Sequence, residues 1–212
     1  LFDAVGTLIY PDPPVAEAYH AAGQKFGSRL SVDEIRGRFR AALSANQACG
    51  EATSEFRERD RWRRIVCSVL DDVTEGSEVL FEFLWQHFAQ PQHWRTFDDV
   101  AALAELRTRG YRIGIASNFD DRLIRIAAAF PALAICEAVF VSSNVGFTKP
   151  DRRFFRAIEE QLAANPTRIA LVGDDEISDV QGATEAGWRA VRLDRRGSIS
   201  SPEAIRSLVE LK

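Results

Sequence analysis

Leu1-Phe2-Asp3-Ala4-Val5-Gly6-Thr7 reads as the end of a buried strand running into a tight turn. A strand of about 5–6 residues would need more apolar residues ahead of Leu1. The sequence contains no methionine and begins at Leu1, so we expect the strand that presents Asp3 to extend upstream. Working outward, Pro11, Pro13 and Pro14 punctuate the chain, and only helical patterns follow as far as Pro91. Val15, Tyr19, Ala22 and Phe26 keep the three-to-four spacing of one helix face, with Gly27 as a stop. Ser31-Val32-Asp33-Glu34 is a capping box that opens a second helix. A third helix carries Phe56, Trp62, Ile65, Val66 and Leu70, and a fourth carries Val79, Leu80, Phe83, Leu84 and Phe88.

After Trp94 the rhythm changes. Strands are expected at Tyr111–Ala116, Ala138–Ser142, Ile169–Val172 and Arg189–Leu193. Helices fall between them, from Asp98, Asp121, Pro150 and Val180, and a last helix is expected over Pro202–Leu211. Strands alternating with helices imply an α/β fold, a Rossmann-like three-layer core around a parallel sheet. The helical block is an insertion after the first strand. The expected division is a core of residues 1–13 and 96–212 with an all-helical cap of residues 14–95.

Composition narrows the function classes. The chain has 212 residues, of which 46% are hydrophobic and 27% charged, so it is globular rather than disordered. Its net charge of −4 argues against a nucleic-acid partner. The longest apolar stretch, Ile126–Cys136, contains Pro131 and is too short to span a bilayer, so no membrane partner is expected. Cys49, Cys67 and Cys136 are too few and too scattered for a disulfide framework, which favours a reducing cytoplasm. The oligomeric state cannot be read from the sequence.

In an open parallel sheet, ligands bind beyond the carboxyl ends of the strands. Those ends deliver Asp3, then Ser117-Asn118, then Lys149 after the third, then Gly173-Asp174-Asp175 with Asp179 beyond. Taken singly, each is an ordinary turn or capping residue. Together they bring carboxylates, a hydroxyl and an ammonium to one edge. Carboxylates in a hard oxygen environment suit Mg²⁺, which takes one or two of them together with a substrate phosphate. The lysine and the Ser117-Asn118 pair suit a phosphoryl group, and a carboxylate can act as a nucleophile.

The order of these motifs resembles the haloacid dehalogenase superfamily of hydrolases over essentially the whole chain, and the helical insertion resembles its C1-type cap. DAVGTL and the proline turn after it resemble the REG-2-like branch. The resemblance implies an aspartyl-phosphate formed at Asp3 and a small phosphorylated metabolite as substrate. It implies Asp3, the Val5 carbonyl and Asp174 as metal ligands for Mg²⁺, and Ser117, Asn118 and Lys149 on the phosphate. Lys149 also neutralises the nucleophile, Asp179 orients Lys149 or the metal's waters, and Thr7 shapes the loop.

Val5 is the departure. Most phosphatases of the superfamily carry a second aspartate there, which moves the leaving-group proton, and general acid–base catalysis contributes about 10²–10⁴-fold. Asp12 and His20 are the nearest substitutes, and Asp175, His87 and His93 are more distant ones. Two alternatives stay open: a 2-haloacid dehalogenase-like hydrolase, and a catalytically impaired protein that binds phosphometabolites. A phosphonate hydrolase would need a cap lysine, for which Lys25 is the one available. Trp62, Trp85 and Trp94 are expected to pack the lid, and the mixed-sign run from Arg57 to Arg64 to form a solvated helix face.

Overall fold

The structure is a computed structural model that describes residues 1–46, 51–197 and 204–211. Cys49 lies outside the described residues. The residues around Asp3 form the middle of the sheet. Phe2 bridges in parallel to Ile115 on one side and to Val172 on the other. Strand β3 (Gly114–Ser117) pairs in parallel with β4 (Ala138–Val141), and β5 (Ala170–Gly173) with β6 (Arg189–Arg192). The spatial order is therefore β4, β3, the Asp3 segment, β5, β6.

Side chains alternate across this sheet, as strand geometry requires. Ile115 and Val172 point into one apolar layer with Leu103, Leu123 and Val141. Ala116 and Leu171 point into the other with Phe154, Phe155 and Trp188. Helices α5 (Ala102–Thr108) and α6 (Arg122–Ala128) carry residues of the first layer. Helices α8 (Arg152–Leu162) and α9 (Gly182–Glu185) carry residues of the second. A single turn, α7 (Ser142–Val145), follows β4.

Four helices make the inserted block: α1 (Val15–Lys25), α2 (Val32–Ala45), α3 (Glu55–Val69) and α4 (Ser77–His87). The Ser31–Glu34 capping box is formed. These helices share an apolar cluster of their own around Tyr19, Ile35, Ile65, Phe81 and Leu84. The chain enters and leaves the block through an antiparallel ribbon of β1 (Ile9–Pro11) and β2 (Trp94–Thr96). Sequence patterning did not reveal this ribbon, because three residues are too few to display a period.

Two expected helices differ. The segment after β5 forms a π-helical turn, Glu176–Gln181, before α9. The Asp175 side chain accepts from the Ile177 and Ser178 N–H groups and sets its first turn. The helix expected over Pro202–Leu211 is absent from its described part. Ile205 instead extends the sheet edge beside Leu193, and Leu208–Glu210 is a short 3₁₀ turn. Asp99 accepts from Ser207 Oγ and Leu208 N, both at 2.8 Å, and Leu208 is buried in the core. So short a helix is marginal alone, and these tertiary bonds outweigh its periodicity.

Candidate active site

The loop after Asp3 folds back on its own strand. The Ala4 carbonyl accepts from the amides of Leu8 at 2.8 Å and Ile9 at 2.9 Å. Gly6 sits at φ +88°, and a Cβ there would strike the Asp174 carboxylate. Gly173 faces the same demand, since its Cβ would strike Asp179. Both glycines let the backbone approach an acidic side chain closely. Thr7 is fully buried, and its hydroxyl lies 3.4 Å from Asp174 Oδ1. Arg195 donates to the Thr7 carbonyl at 2.6 Å and pins the loop from behind.

The four strand ends converge. Ser117 Oγ donates to Asp3 Oδ1 at 2.9 Å, and Lys149 Nζ donates to the same oxygen at 2.8 Å. Lys149 Nζ also bonds Asp179 Oδ1 at 2.6 Å and the Ala116 carbonyl at 2.8 Å. Its ammonium is buried with its donors engaged. The Asn118 side chain clamps the Lys149 backbone: Nδ2 donates to its carbonyl at 2.9 Å and Oδ1 accepts from its N–H at 2.7 Å. Asn118 thus positions Lys149, a task its place in the sequence did not announce. Asp179 Oδ2 accepts from the Asp175 N–H at 3.1 Å.

Electrostatics follow from this crowding. Burial would lower the Lys149 pKa, but Asp3 and Asp179 outweigh it and hold the ammonium charged above the usual lysine range. Burial pushes the Asp179 carboxyl up to about 6, with Asp3 adding to the rise and Lys149 opposing it. Asp174 is raised as well, by desolvation and then by Asp179. Oxygens of Asp3, Asp174 and Asp179 lie within 4.8 Å of one another. Three carboxylates against one ammonium leave excess negative charge, and an all-oxygen donor set of this kind fits a hard divalent cation.

Above this edge lies a cavity of about 440 Å³ between the sheet edge and the inserted helices. Val5 and Lys149 are on its floor, and Asp175 and Ile177 also line it. Its wall is a chain of ring contacts. Trp62 stacks on Phe39 at 6.4 Å, Phe39 meets Tyr19 at 5.3 Å, and Tyr19 meets Phe88 at 6.1 Å. Phe88 then meets Trp94 at 6.3 Å, and Trp94 meets Phe119 at 6.0 Å. Trp62 thus faces the cavity as well as packing the inserted helices, whereas Trp94 faces it from the core cluster of the sheet layer and not from a lid. Two arginines also line it, and both are paired. Arg122 donates to both oxygens of buried Asp120, at 2.7 and 2.8 Å, and lies 3.5 Å from the Trp85 ring centre. Arg61 donates to buried Glu58 at 3.1 Å and to the Asn46 carbonyl at 2.7 Å. Sequence reasoning missed Arg122, because an arginine two residues from an aspartate forms no motif. It placed Arg61 on a solvated face, whereas burial of Glu58 draws it inward.

Of the proposed substitutes for the missing aspartate, Asp175 lines the cavity and the others stand elsewhere. Asp12 pairs with Arg95 at the surface at 3.2 Å. His20 is half-buried and does not line the cavity. His87 and His93 stack on each other at 3.7 Å beside a separate groove. Lys25 is exposed, 4.7 Å from the Phe83 ring centre, so it supplies no lysine to the cavity.

Residues 1–187 match the haloacid dehalogenase-like hydrolase family. The human haloacid dehalogenase-like hydrolase domain-containing protein 3 is 28% identical over 89% of this chain and 78% of its own length. A phosphoserine phosphatase of Thermus thermophilus is 32% identical over 92% of this chain and 73% of its own. The crystal structure of a phosphatase of the same family from Thermococcus onnurineus superposes with a TM-score of 0.69 at 25% identity, covering 99% of this chain and 94% of that one. Dehalogenase structures share the fold too, with a TM-score of 0.70 at 21% identity. On the match to residues 1–187 and the converged strand ends, the chain belongs to the haloacid dehalogenase-like hydrolases.

Proposed function

We propose that the protein is a Mg²⁺-dependent phosphohydrolase that acts on a small phosphorylated compound through nucleophilic attack by Asp3. The observation that carries this reading is the Asp3 carboxylate, whose Oδ1 is held by both Ser117 and Lys149 beside Asp174 and Asp179. Two donors on one oxygen fix the orientation of the carboxylate, and orientation with charge stabilisation supplies most of the catalysis in phosphoryl transfer. In this reading Asp3, the Val5 carbonyl and Asp174 hold the metal. The ion would neutralise phosphoryl oxygens and organise the acidic edge. Ser117 and Lys149 hold phosphate oxygens, Asn118 contributes there through its backbone and by positioning Lys149, and Asp179 keeps the ammonium in place. Thr7 steadies the loop at Asp174. Residues 14–95 act as a cap over a core of residues 1–13 and 96–212.

Asp174, Asp175 and Asp179 argue for this over halide displacement, because negative charge beyond what Lys149 pairs is costly beside a halide site. Cytoplasmic residence belongs to the same reading, since Cys67 and Cys136 are free thiols. Among the described residues no helix is long and apolar enough to cross a membrane. The test is phosphate release from aryl phosphates and a metabolite panel, with and without Mg²⁺. We expect Mg²⁺-dependent release that falls to background in Asp3→Asn. Metal-independent halide release from a 2-haloacid would overturn the assignment. So would tight phosphate-ester binding by the wild-type protein with no turnover.

A further inference from the structure

We infer that the substrate is the monophosphate ester of a neutral aromatic hydroxyl compound, whose ring lies along the aromatic wall and leaves as a phenolate. The inference rests on the phosphohydrolase reading and narrows its substrate. Two independent observations carry it.

The first is the wall. Six rings, from Trp62 of α3 to Phe119 beside Asn118, form one continuous apolar surface over the phosphoryl site. The arginines among them are neutralised by Glu58 and Asp120, so the wall presents no unpaired cation for a second anionic group. A sugar phosphate would leave its hydroxyls against rings without partners, which is costly. A flat apolar group loses nothing there and gains the stacking geometry that aromatic pairs prefer.

The second is proton supply. Two residues beyond Asp3, the cavity is lined by the isopropyl group of Val5. Most other titratable groups on the wall are engaged. Lys149 Nζ is taken up by two carboxylates and the Ala116 carbonyl, and both arginines are paired. Tyr19 is buried, and Asp175 Oδ1 accepts from two backbone amides. A leaving group here must depart without an acid. A phenol ionises near pH ~10, far more readily than an aliphatic alcohol, so its oxygen leaves unaided.

The chemistry balances. An Asp3 oxygen forms a bond to phosphorus while the phosphorus–aryl oxygen bond breaks, and the electron pair stays on the phenolate. The phenolate takes a proton from solvent as it is released. Water then attacks phosphorus and the bond to Asp3 breaks; one proton of that water stays on the departing inorganic phosphate and the other goes to solvent, replacing the one the phenolate took.

The experiment compares four esters: 1-naphthyl, 4-nitrophenyl, benzyl and glycerol phosphate. Binding is measured by calorimetry on Asp3→Asn with Mg²⁺, and turnover on the wild-type protein. Naphthyl phosphate should bind about 10- to 100-fold tighter than glycerol phosphate. Nitrophenyl phosphate should turn over at least about 10-fold faster than benzyl phosphate, which offers a ring but a poor leaving group. Trp62→Ala should weaken naphthyl phosphate binding more than glycerol phosphate binding and so narrow the gap between them. Equal affinity for naphthyl and glycerol phosphates would overturn the inference without any variant, as would equal turnover of nitrophenyl and benzyl phosphates. Absence of release from every ester, with the affinity gap intact, would instead overturn the phosphohydrolase reading and keep the ligand class.

Discussion

Val5 separates holding a phosphoryl group from releasing its alcohol. The role proposed for its carbonyl survives any side chain, whereas the isopropyl group has no proton to give. Val5→Asp places a carboxyl at the cavity floor beside Asp3. We expect turnover of esters with poor leaving groups, such as benzyl phosphate, to rise by about 10²-fold or more. Nitrophenyl phosphate should gain much less. Steady-state kinetics on the two esters checks both. An unchanged or lower rate on benzyl phosphate in a folded Val5→Asp protein would show that proton transfer is not what the site lacks.

At the scale of elements, the joint between α4 and β2 is the most pH-sensitive feature outside the acidic edge. The stacked rings of His87 and His93 sit there, and His93 Nδ1 lies 2.8 Å from the His87 carbonyl. His87 Nε2 is buried without a partner. Burial pushes the His87 pKa down to about 4, with His93 and then Lys25 adding to the shift. A base whose folded pKa is depressed favours the fold fully above about pH 6.5 and loses that contribution as pH falls towards 4. The melting temperature should therefore drop more between pH 7 and pH 5 in the wild-type protein than in His87→Gln, as thermal denaturation at the two pH values will show.

The same scale shows what the sequence made legible. Asp3, Ser117, Lys149, Asp174 and Asp179 each stand at or just beyond a strand end, so local patterning alone brought them to one edge. The four helices described in the inserted block carried their own apolar faces and, at Ser31, a capping box. The β1–β2 ribbon was too short to show a period, and the tail around Ile205 and Leu208 answers to Asp99 rather than to its own spacing. The aromatic wall was hidden for another reason. Its rings come from separate segments, and each fits the local apolar pattern as ordinary core. Only tertiary packing turns them towards one space.

Across the whole molecule, the inserted helices dock on the sheet layer through polar contacts at the cavity rim. The Asp121 N–H donates to Glu55 Oε1 at 2.7 Å, and the Thr53 N–H to the Gly146 carbonyl at 2.8 Å. Arg122 reaches from α6 to the Trp85 ring while bound to Asp120, which is fully buried. Removing one partner of such a pair strands a buried charge. Arg122→Met should lower the unfolding free energy by about 3–5 kcal/mol, and adding Asp120→Leu should recover much of it. Denaturant titration of the single and double variants measures this. Failure of the second change to recover stability would assign the loss to the Trp85 contact instead.

The position of Asp3 in the middle of the sheet has a consequence for how the protein is made. Its strand is synthesised before every strand it pairs with, and those partners come long afterwards. The Leu1 backbone nitrogen bonds the Ala170 carbonyl 169 positions away, and Lys149 meets Asp3 across 146. Pairings so distant along the chain fold slowly. The site has no half-built form on the ribosome: until β5 and the Asp179 turn have emerged, the Asp3 carboxylate lacks the setting that orients it. Activity therefore waits for residue 179, and a chain cut short before it carries the nucleophile without the site.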